Sequence, residues 1–498
     1  MEGLDNKKLE AISLSDIEAM SRDALIALVK EMQQTLLEYQ GVIFKLKTRI
    51  YSPKSERSLS LKTAKTSEKK PRSHTTKLPS ERYPEATIVE NDIDFADIQI
   101  CPCCGESMED SGMTEDSEYL TIKAKEYMVV RQKRHKHRCK KCHSTIATAP
   151  SLPRVIPGGS YSDEMIIDAT LSKFCDLIPM ERYCKMAERN GFAGLPPQSL
   201  IQASFKMAEF MQAIYERIKE ETLNTAVLLA DETPHKMLEG DERKNWFLWQ
   251  FLNGVACFFE CHDTRSGDVS SNILKDSNCL VLLSDAYSGY SKSIKAVNEI
   301  RKQEDRPIIQ TALCNAHARR EFYSGKNIDK DNISPDALFM VEQYKEIYKL
   351  EAEAKGLSDK EILEKRALMK PFFETMKKEA ELKIDTYSSK SAMGQAYGYF
   401  LNHYDGLTLF LGNPRIPIDN NASERRLRSH VVGRKTWYGT HSREGAWAAA
   451  RHFTIVETCK LNDISPYQYY GEMVNRLHYK QKVLTPFEYK KEVMNDIN

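Results

Sequence analysis

The sequence predicts a multidomain α/β protein, on three grounds. Asp231 follows the apolar run Ala226–Ala230, and Asp285 follows a second run, Cys279–Ser284. Strand-like segments crowd residues 223–325, whereas residues 334–412 are long, charged and helical. Glu424 then lies in Asp419-Asn420-Asn421-Ala422-Ser423-Glu424-Arg425, a loop leading into a helix. Two carboxylates at strand ends and a third on a later helix is how a ribonuclease H-like core holds a pair of divalent metals. Hard cations such as Mg²⁺ prefer carboxylate oxygens. Two of them, roughly 3.5–4 Å apart, activate an attacking oxygen and stabilise a leaving one.

With 498 residues, a prior of about 150 residues per domain gives roughly three domains. The 41% hydrophobic content suffices for a substantial core. No apolar run reaches the length of about 18 residues that a membrane span needs. The Met1–Lys8 start lacks the apolar stretch of a signal peptide. A cytoplasmic, nucleoid-associated protein with mostly reduced cysteines is expected. Net charge is only +1, but its distribution is uneven. Residues 51–80 hold eight Lys/Arg against Glu56 and Glu68, and residues 121–143 hold nine against Glu126. Such clusters suit a phosphate backbone, although the first also reads as a plain solvated linker.

Residues 1–51 form a helical region. Val29, Leu36, Ile43 and Ile50 fill one heptad position; Leu25, Met32, Tyr39 and Leu46 fill the other. This predicts a two-stranded coiled coil and so at least a dimer; an amphipathic helix packed within its own chain is the alternative. Residues 52–98 read as a basic linker. Residues 99–150 carry two C-x-x-C knuckles, Cys101/Cys104 and Cys139/Cys142, which suit one structural Zn²⁺. Cys103, His135, His137 or His143 could substitute for one thiolate, and Thr121–Arg131 is expected to be a strand of the ribbon. Residues 151–222 read as a helical domain with breaks at Pro179 and Gly194–Pro197.

The core begins with residues 223–333. Strands are expected at Thr225–Ala230, Trp246–Leu252, Val255–Glu260, Leu280–Ser284 and Thr311–Cys314, with a helix around Ser291–Lys302. A helical insertion (334–412) precedes the second part of the core (413–462), where Gly445–Leu461 has the spacing of a buried helix. The tail, 463–498, is expected to hold one further helix and an irregular end.

Taken together, these segments resemble the transposases of the insertion-sequence-66 family, in the DDE superfamily. The resemblance rests on Ser52–Arg57, on the cysteine knuckles, and on Ala230-Asp231-Glu232-Thr233-Pro234. It continues through Ser284-Asp285-Ala286-Tyr287-Ser288-Gly289-Tyr290, Cys314-Asn315-Ala316-His317-Ala318-Arg319-Arg320, Asp419–Arg425 and Gly433-Arg434-Lys435-Thr436-Trp437. It implies metal-dependent cleavage at transposon ends, then attack of the freed 3′-OH on target DNA. It implies Asp231, Asp285 and Glu424 as catalytic ligands of two Mg²⁺ or Mn²⁺ ions. The implied partners are end-repeat and target DNA, a second copy of the chain and small accessory proteins. The alternatives are a non-catalytic zinc-dependent DNA-binding derivative and a stand-alone nuclease.

Each role has a competitor. Glu232 rivals Asp231, but successive strand residues face opposite ways, so one of them points into the site. Asp419 rivals Glu424, yet Asp-Asn-Asn reads as a helix cap. Arg428 shares a helix face with Glu424, so an ion pair between them competes with a contact to DNA phosphate. His317, Arg425, Arg434 and Lys435 are the other DNA-contact candidates, and His317 could instead bond a catalytic carboxylate. Trp437 reads as either a base-stacking or a core aromatic.

Overall fold

A computed structural model describes residues 21–22, 24–25, 78–90, 103–107, 117–122, 125–141, 144, 146–239, 245–325, 327–329 and 332–494. Most of the heptad seam, the linker to residue 77, Cys101, Cys142 and His143 therefore lie outside the described residues. The chain divides into two units: residues 53–131, and residues 1–52 with 132–498.

In the smaller unit, Pro79–Arg82 form one helical turn. Ser80 donates from its N and Oγ to the Glu118 carboxylate at 2.8 and 2.9 Å. The described residues of 121–131 carry no strand, contrary to the sequence expectation. The adjacent Val129 and Val130 are both exposed, so these positions lack the one-sided burial that stabilises a strand. In the larger unit a short hairpin pairs Lys136–Arg138 (β1) with Ile146–Thr148 (β2).

Four helices follow: Asp163–Phe174 (α1), Met180–Arg189 (α2), Pro197–Phe210 (α3) and Gln212–Leu223 (α4). Their starts follow local chemistry. Ser162 caps α1 by accepting from Met165 N, and prolines open or precede α2 and α3, where an amide hydrogen would have no helical partner.

The central sheet is built from Val227–Lys236 (β3), Asn245–Leu252 (β4), Cys257–His262 (β5), Val281–Ser284 (β6) and Gln310–Leu313 (β7). Its order is β5-β4-β3-β6-β7. β3, β4 and β5 form an antiparallel meander, while β6 and β7 run parallel to β3. Gly267–Leu274 (α5) and Ser288–Gln303 (α6) cover one face. There Leu228, Ala230, Trp249, Phe251 and Leu282 meet Ile273, Tyr290, Ile294 and Val297. The opposite face carries Leu229, Leu248, Leu252 and Leu283.

That second face is covered by Asn315–Gly325 (α7), the insertion helices, Asn421–Trp437 (α13) and Arg443–Leu461 (α14). The insertion comprises Pro335–Glu353 (α8), Asp359–Ala367 (α9), Lys370–Lys383 (α10), Ala392–Asn402 (α11) and Tyr404–Thr408 (α12). Met340, Tyr344, Phe373, Tyr397 and Phe400 join the same core as Leu229, so the insertion packs into the sheet's own cluster. α14 is buried along most of its length and lies on the free edge of the sheet. Thr454 Oγ1 accepts from Phe259 N at 2.9 Å, and Thr458 Oγ1 donates to Cys257 O at 2.9 Å. These hydroxyls satisfy edge groups of β5 that would otherwise invite another strand. Pro466–His478 (α15) packs against α1, α3 and α14 through Tyr469, Tyr470 and Met473, and a short helix, Pro486–Tyr489 (α16), follows. Among the described residues, no helix is long and apolar enough to cross a membrane.

Candidate active site

β3 is longer than its apolar run. The sequence sets Asp231 at a strand end, but antiparallel pairing with β4 carries β3 on to Lys236, opposite Asn245. Only the parallel partner stops early: Val227 faces Val281 and Leu229 faces Leu283, after which β6 ends at Ser284. Continuing that register sets Asp231 beside Asp285. Both residues keep the parity of Leu229 and Leu283, and so lie on the α13 face.

The two neighbouring acids of β3 have different surroundings. Glu232 faces α6, accepts from Tyr290 Oη at 2.6 Å and Arg265 Nε at 2.8 Å, and its side chain is only 2% exposed. Asp231 Oδ1 accepts from Glu232 N at 2.9 Å. Burial, then repulsion from Glu232, Asp285 and Glu424, holds the Asp231 carboxyl well above the usual carboxylate range. Asp285 Oδ1 accepts from Tyr287 N at 3.1 Å, which fixes the turn into α6.

Glu424 lies in the first turn of α13. Its Oε1 is 3.7 Å from His317 Nε2 and 3.9 Å from Arg320 Nη2, both on α7. Neither distance is a hydrogen bond, and Oε1 is buried without a hydrogen-bond partner. Asp419 sits at the entry to this helix: it accepts from Asn421 N at 3.1 Å, and Tyr348 of α8 donates to it at 3.1 Å. The N-cap position itself is Asn420, whose side chain makes no cap bond, so Asp419 stands one residue before the cap.

Three polar residues that the sequence reading did not single out tie α13 to the sheet. Asn420 donates from Nδ2 to Ala230 O at 3.0 Å, and from its backbone N to Cys314 Sγ at 3.1 Å. Ser423 Oγ donates to Gln250 Oε1 at 2.8 Å. Gln250 is the cross-strand partner of Asp231. A glutamine between Leu248 and Leu252 in an otherwise apolar run was the available signal, and it is fully buried. Burial pushes the Cys314 thiol up to about 12, so it is a neutral acceptor at the junction of β7 and α7.

The cations divide into two groups. Arg425, Arg428 and Lys435 are exposed along α13. No ion pair joins Arg428 to Glu424; His317 and Arg320 stand beside that carboxylate instead. Arg434 turns inward and donates to Thr233 Oγ1 at 3.1 Å and to the Pro234 carbonyl. Trp437 packs edge-on against Phe174, with ring centroids 6.4 Å apart, and Lys173 Nζ lies 4.6 Å from its ring. It is therefore a packing aromatic. Gly439, just beyond α13, has no room for a side chain: a Cβ would sit 2.1 Å from Lys236 O.

Cys103, Cys104 and Cys139 are exposed free thiols; Cys101 and Cys142 lie outside the described residues. Among the described residues, no three Asp, Glu, His or Cys side chains converge closely enough to hold one metal ion. The acid cluster nonetheless suits a hard divalent cation. It offers carboxylate oxygens, among them Glu424 Oε1, which is buried without a hydrogen bond, and a repulsion at Asp231 that a cation would relieve.

Comparison with known proteins assigns the chain to a transposase family. The sequence model of the Transposase IS66 family matches residues 158–448, more than half of the chain, and the protein belongs to that family. The chain is 26% identical over 415 residues to uncharacterized protein y4hP of Sinorhizobium fredii (strain NBRC 101917 / NGR234), covering 78% of this chain and 73% of the relative. It is 26% identical over 390 residues to y4jD of the same strain, covering 76% and 74%. A third protein of that strain, y4qI, is 27% identical over 384 residues, covering 72% and 68%.

Proposed function

We propose that the protein is a DNA transposase with a ribonuclease H-like core, in which Asp231, Asp285 and Glu424 bind the divalent metals of strand cleavage and strand transfer. One observation carries this reading: Asp231 on β3 is buried within reach of the charges of Asp285, just beyond β6, and of Glu424 in the first turn of α13. The strand order and the antiparallel-then-parallel pattern support the core assignment.

Asp231, Asp285 and Glu424 would hold the two ions, with Asp231 the candidate to be shared between them. Two bound divalent ions would activate the attacking oxygen and stabilise the leaving oxygen of a phosphodiester. His317 and Arg320 orient Glu424 and meet the nearby phosphate. Arg425, Arg428 and Lys435 track the DNA backbone along α13, whereas Arg434 holds α13 against β3. The attacking group is water in the first step and the freed 3′-OH in the second. Both steps are in-line phosphoryl transfers, so no side chain bonds covalently to DNA.

Three further parts rest on the sequence alone. They are zinc held by Cys101, Cys104, Cys139 and Cys142, pairing of two chains through the heptad seam, and, by family resemblance, assistance from small accessory proteins.

The test uses DNA carrying the inverted repeats that flank the gene. The purified full-length chain should nick the repeat ends in Mg²⁺ or Mn²⁺ and join the freed 3′ ends to a target plasmid. Binding of repeat DNA without cleavage in either metal, with or without the neighbouring accessory proteins, would overturn the reading in favour of a non-catalytic derivative.

A further inference from the structure

Four side-chain atoms beside the acids are buried without a hydrogen-bond partner: Gln250 Nε2, His317 Nδ1, Asn420 Oδ1 and Glu424 Oε1. Gln250 is the least expected of these. It is 0% exposed in mid-strand, with Leu248 and Leu252 on the same face. An apolar side chain is the ordinary occupant of such a slot, because burying an unpaired amide N–H is costly. Buried polar groups nearly always have partners, so Gln250 Nε2 calls for an acceptor among the side chains around it.

Its geometry indicates which partner. Ser423 Oγ donates to Gln250 Oε1 at 2.8 Å, so the amide oxygen is occupied and the NH₂ group is left for another acceptor. Asp231 lies directly across from Gln250 on β3, on the same face; side chains so paired have Cβ atoms about 5 Å apart. Ser423 immediately precedes Glu424. A hydrogen bond from Gln250 Nε2 to Asp231 would complete a path through Ser423 to the backbone that carries Glu424.

We propose that Gln250 is a positioning residue for the acid cluster. Its Nε2 donates to the Asp231 carboxylate in the cation-loaded site, and its link to Ser423 sets the spacing between Asp231 and Glu424. The inference rests on the catalytic reading above and goes beyond the three acids. The amide touches neither DNA nor metal; it fixes the orientation of a ligand. Groups that orient metal ligands in this way typically contribute about 10-fold or more to metal affinity.

The test is Mn²⁺ binding to the DNA-free full-length chain, measured by electron paramagnetic resonance, alongside cleavage as a function of Mn²⁺ and affinity for end DNA. Gln250→Met keeps the volume and removes the donor. Ser423→Ala removes one buried hydroxyl and serves as the second variant should Gln250→Met not fold. Each is expected to weaken Mn²⁺ binding about 10-fold. Each should raise the Mn²⁺ needed for half-maximal cleavage by the same factor and leave end-DNA affinity unchanged. Because the two residues act through one bond, the double variant should lose no more than Gln250→Met alone. Ser423→Thr, which keeps the hydroxyl, should restore binding relative to Ser423→Ala. Wild-type Mn²⁺ affinity in folded Ser423→Ala and Gln250→Met would overturn the proposal, as would losses that simply multiply in the double variant. A chain that binds Mn²⁺ and loses it in Asp231→Asn but not in Gln250→Met would overturn this inference alone. A wild-type chain that neither binds Mn²⁺ nor cuts DNA would overturn the catalytic reading itself.

Discussion

On one face of β3, Glu232 is enclosed and satisfied by Arg265 and Tyr290. On the other face the adjacent residue, Asp231, is buried among acids whose charges oppose its own. The chemistry of the two side chains is nearly the same, and the pleat alone separates them. Glu232 stabilises the fold by closing a cation and a hydroxyl against the sheet. At Asp231, burial and the surrounding carboxylates raise the carboxyl well above its usual range.

The sharpest test of this difference is catalytic. Asp231→Asn, Asp285→Asn and Glu424→Gln should each reduce strand cleavage by roughly 10³-fold or more, since each removes several kcal/mol of charge stabilisation in the transition state. Glu232→Gln should cleave at the wild-type rate per folded molecule. A gel assay on labelled end DNA decides it: equal losses at positions 231 and 232 would erase the contrast between the two faces.

Further along the Asp231 face, His235 of β3 meets His430 of α13, with Nδ1 and Nε2 3.4 Å apart. Burial lowers His235 to about 4 and His430 well below its usual value. Unfolded histidine titrates near about 6.5. A depressed folded value means the stabilisation is complete above that pH and is lost as pH falls toward 4. His235 alone should therefore cost about 3 kcal/mol of stability by pH 4. Urea unfolding followed from pH 7 to 4 should show this loss, and His235→Gln should flatten it. An unchanged acid slope in that variant would locate the sensitivity elsewhere.

Glu232→Ala comes next in size. It leaves the Tyr290 hydroxyl without its acceptor and Arg265 without its carboxylate. Because Arg265 is 45% exposed, the cost is about 2 kcal/mol rather than that of a fully buried pair. Denaturant unfolding measures it, and a loss under about 0.5 kcal/mol would mean that Glu232 is not the anchor its contacts imply. The smallest effects belong to the cations of α13. Arg425→Ala, Arg428→Ala and Lys435→Ala should each flatten the slope of log K against log salt by about 0.9. Arg434→Ala should instead lower stability with the slope intact, because its guanidinium is spent on Thr233 and Pro234.

Much of this was legible from the chain. The strands, the paired helices before them and the buried α14 followed from apolar runs and breakers. Asp231, Asp285 and Glu424 stood out because each ends or follows a recognisable local pattern. The extension of β3 past Asp231 was not legible. Thr233, His235 and Lys236 have no strand-like apolar run, and only the pairing with β4 holds them extended. Arg434 looked like a DNA contact beside Lys435 until packing turned it inward.

The sequence by itself determined the local elements, the parity that opposes Asp231 to Glu232, and the placement of Glu424 one turn into a helix. These depend on neighbours a few residues away. The tertiary structure alone decided the register that sets Asp231 beside Asp285, and which sheet face receives α13. It also decided that Gln250, Ser423 and Asn420 bind the sheet to that helix. Those choices depend on contacts between segments far apart in the chain, fixed by burying the sheet's two apolar faces at once, and no local pattern of residues encodes them.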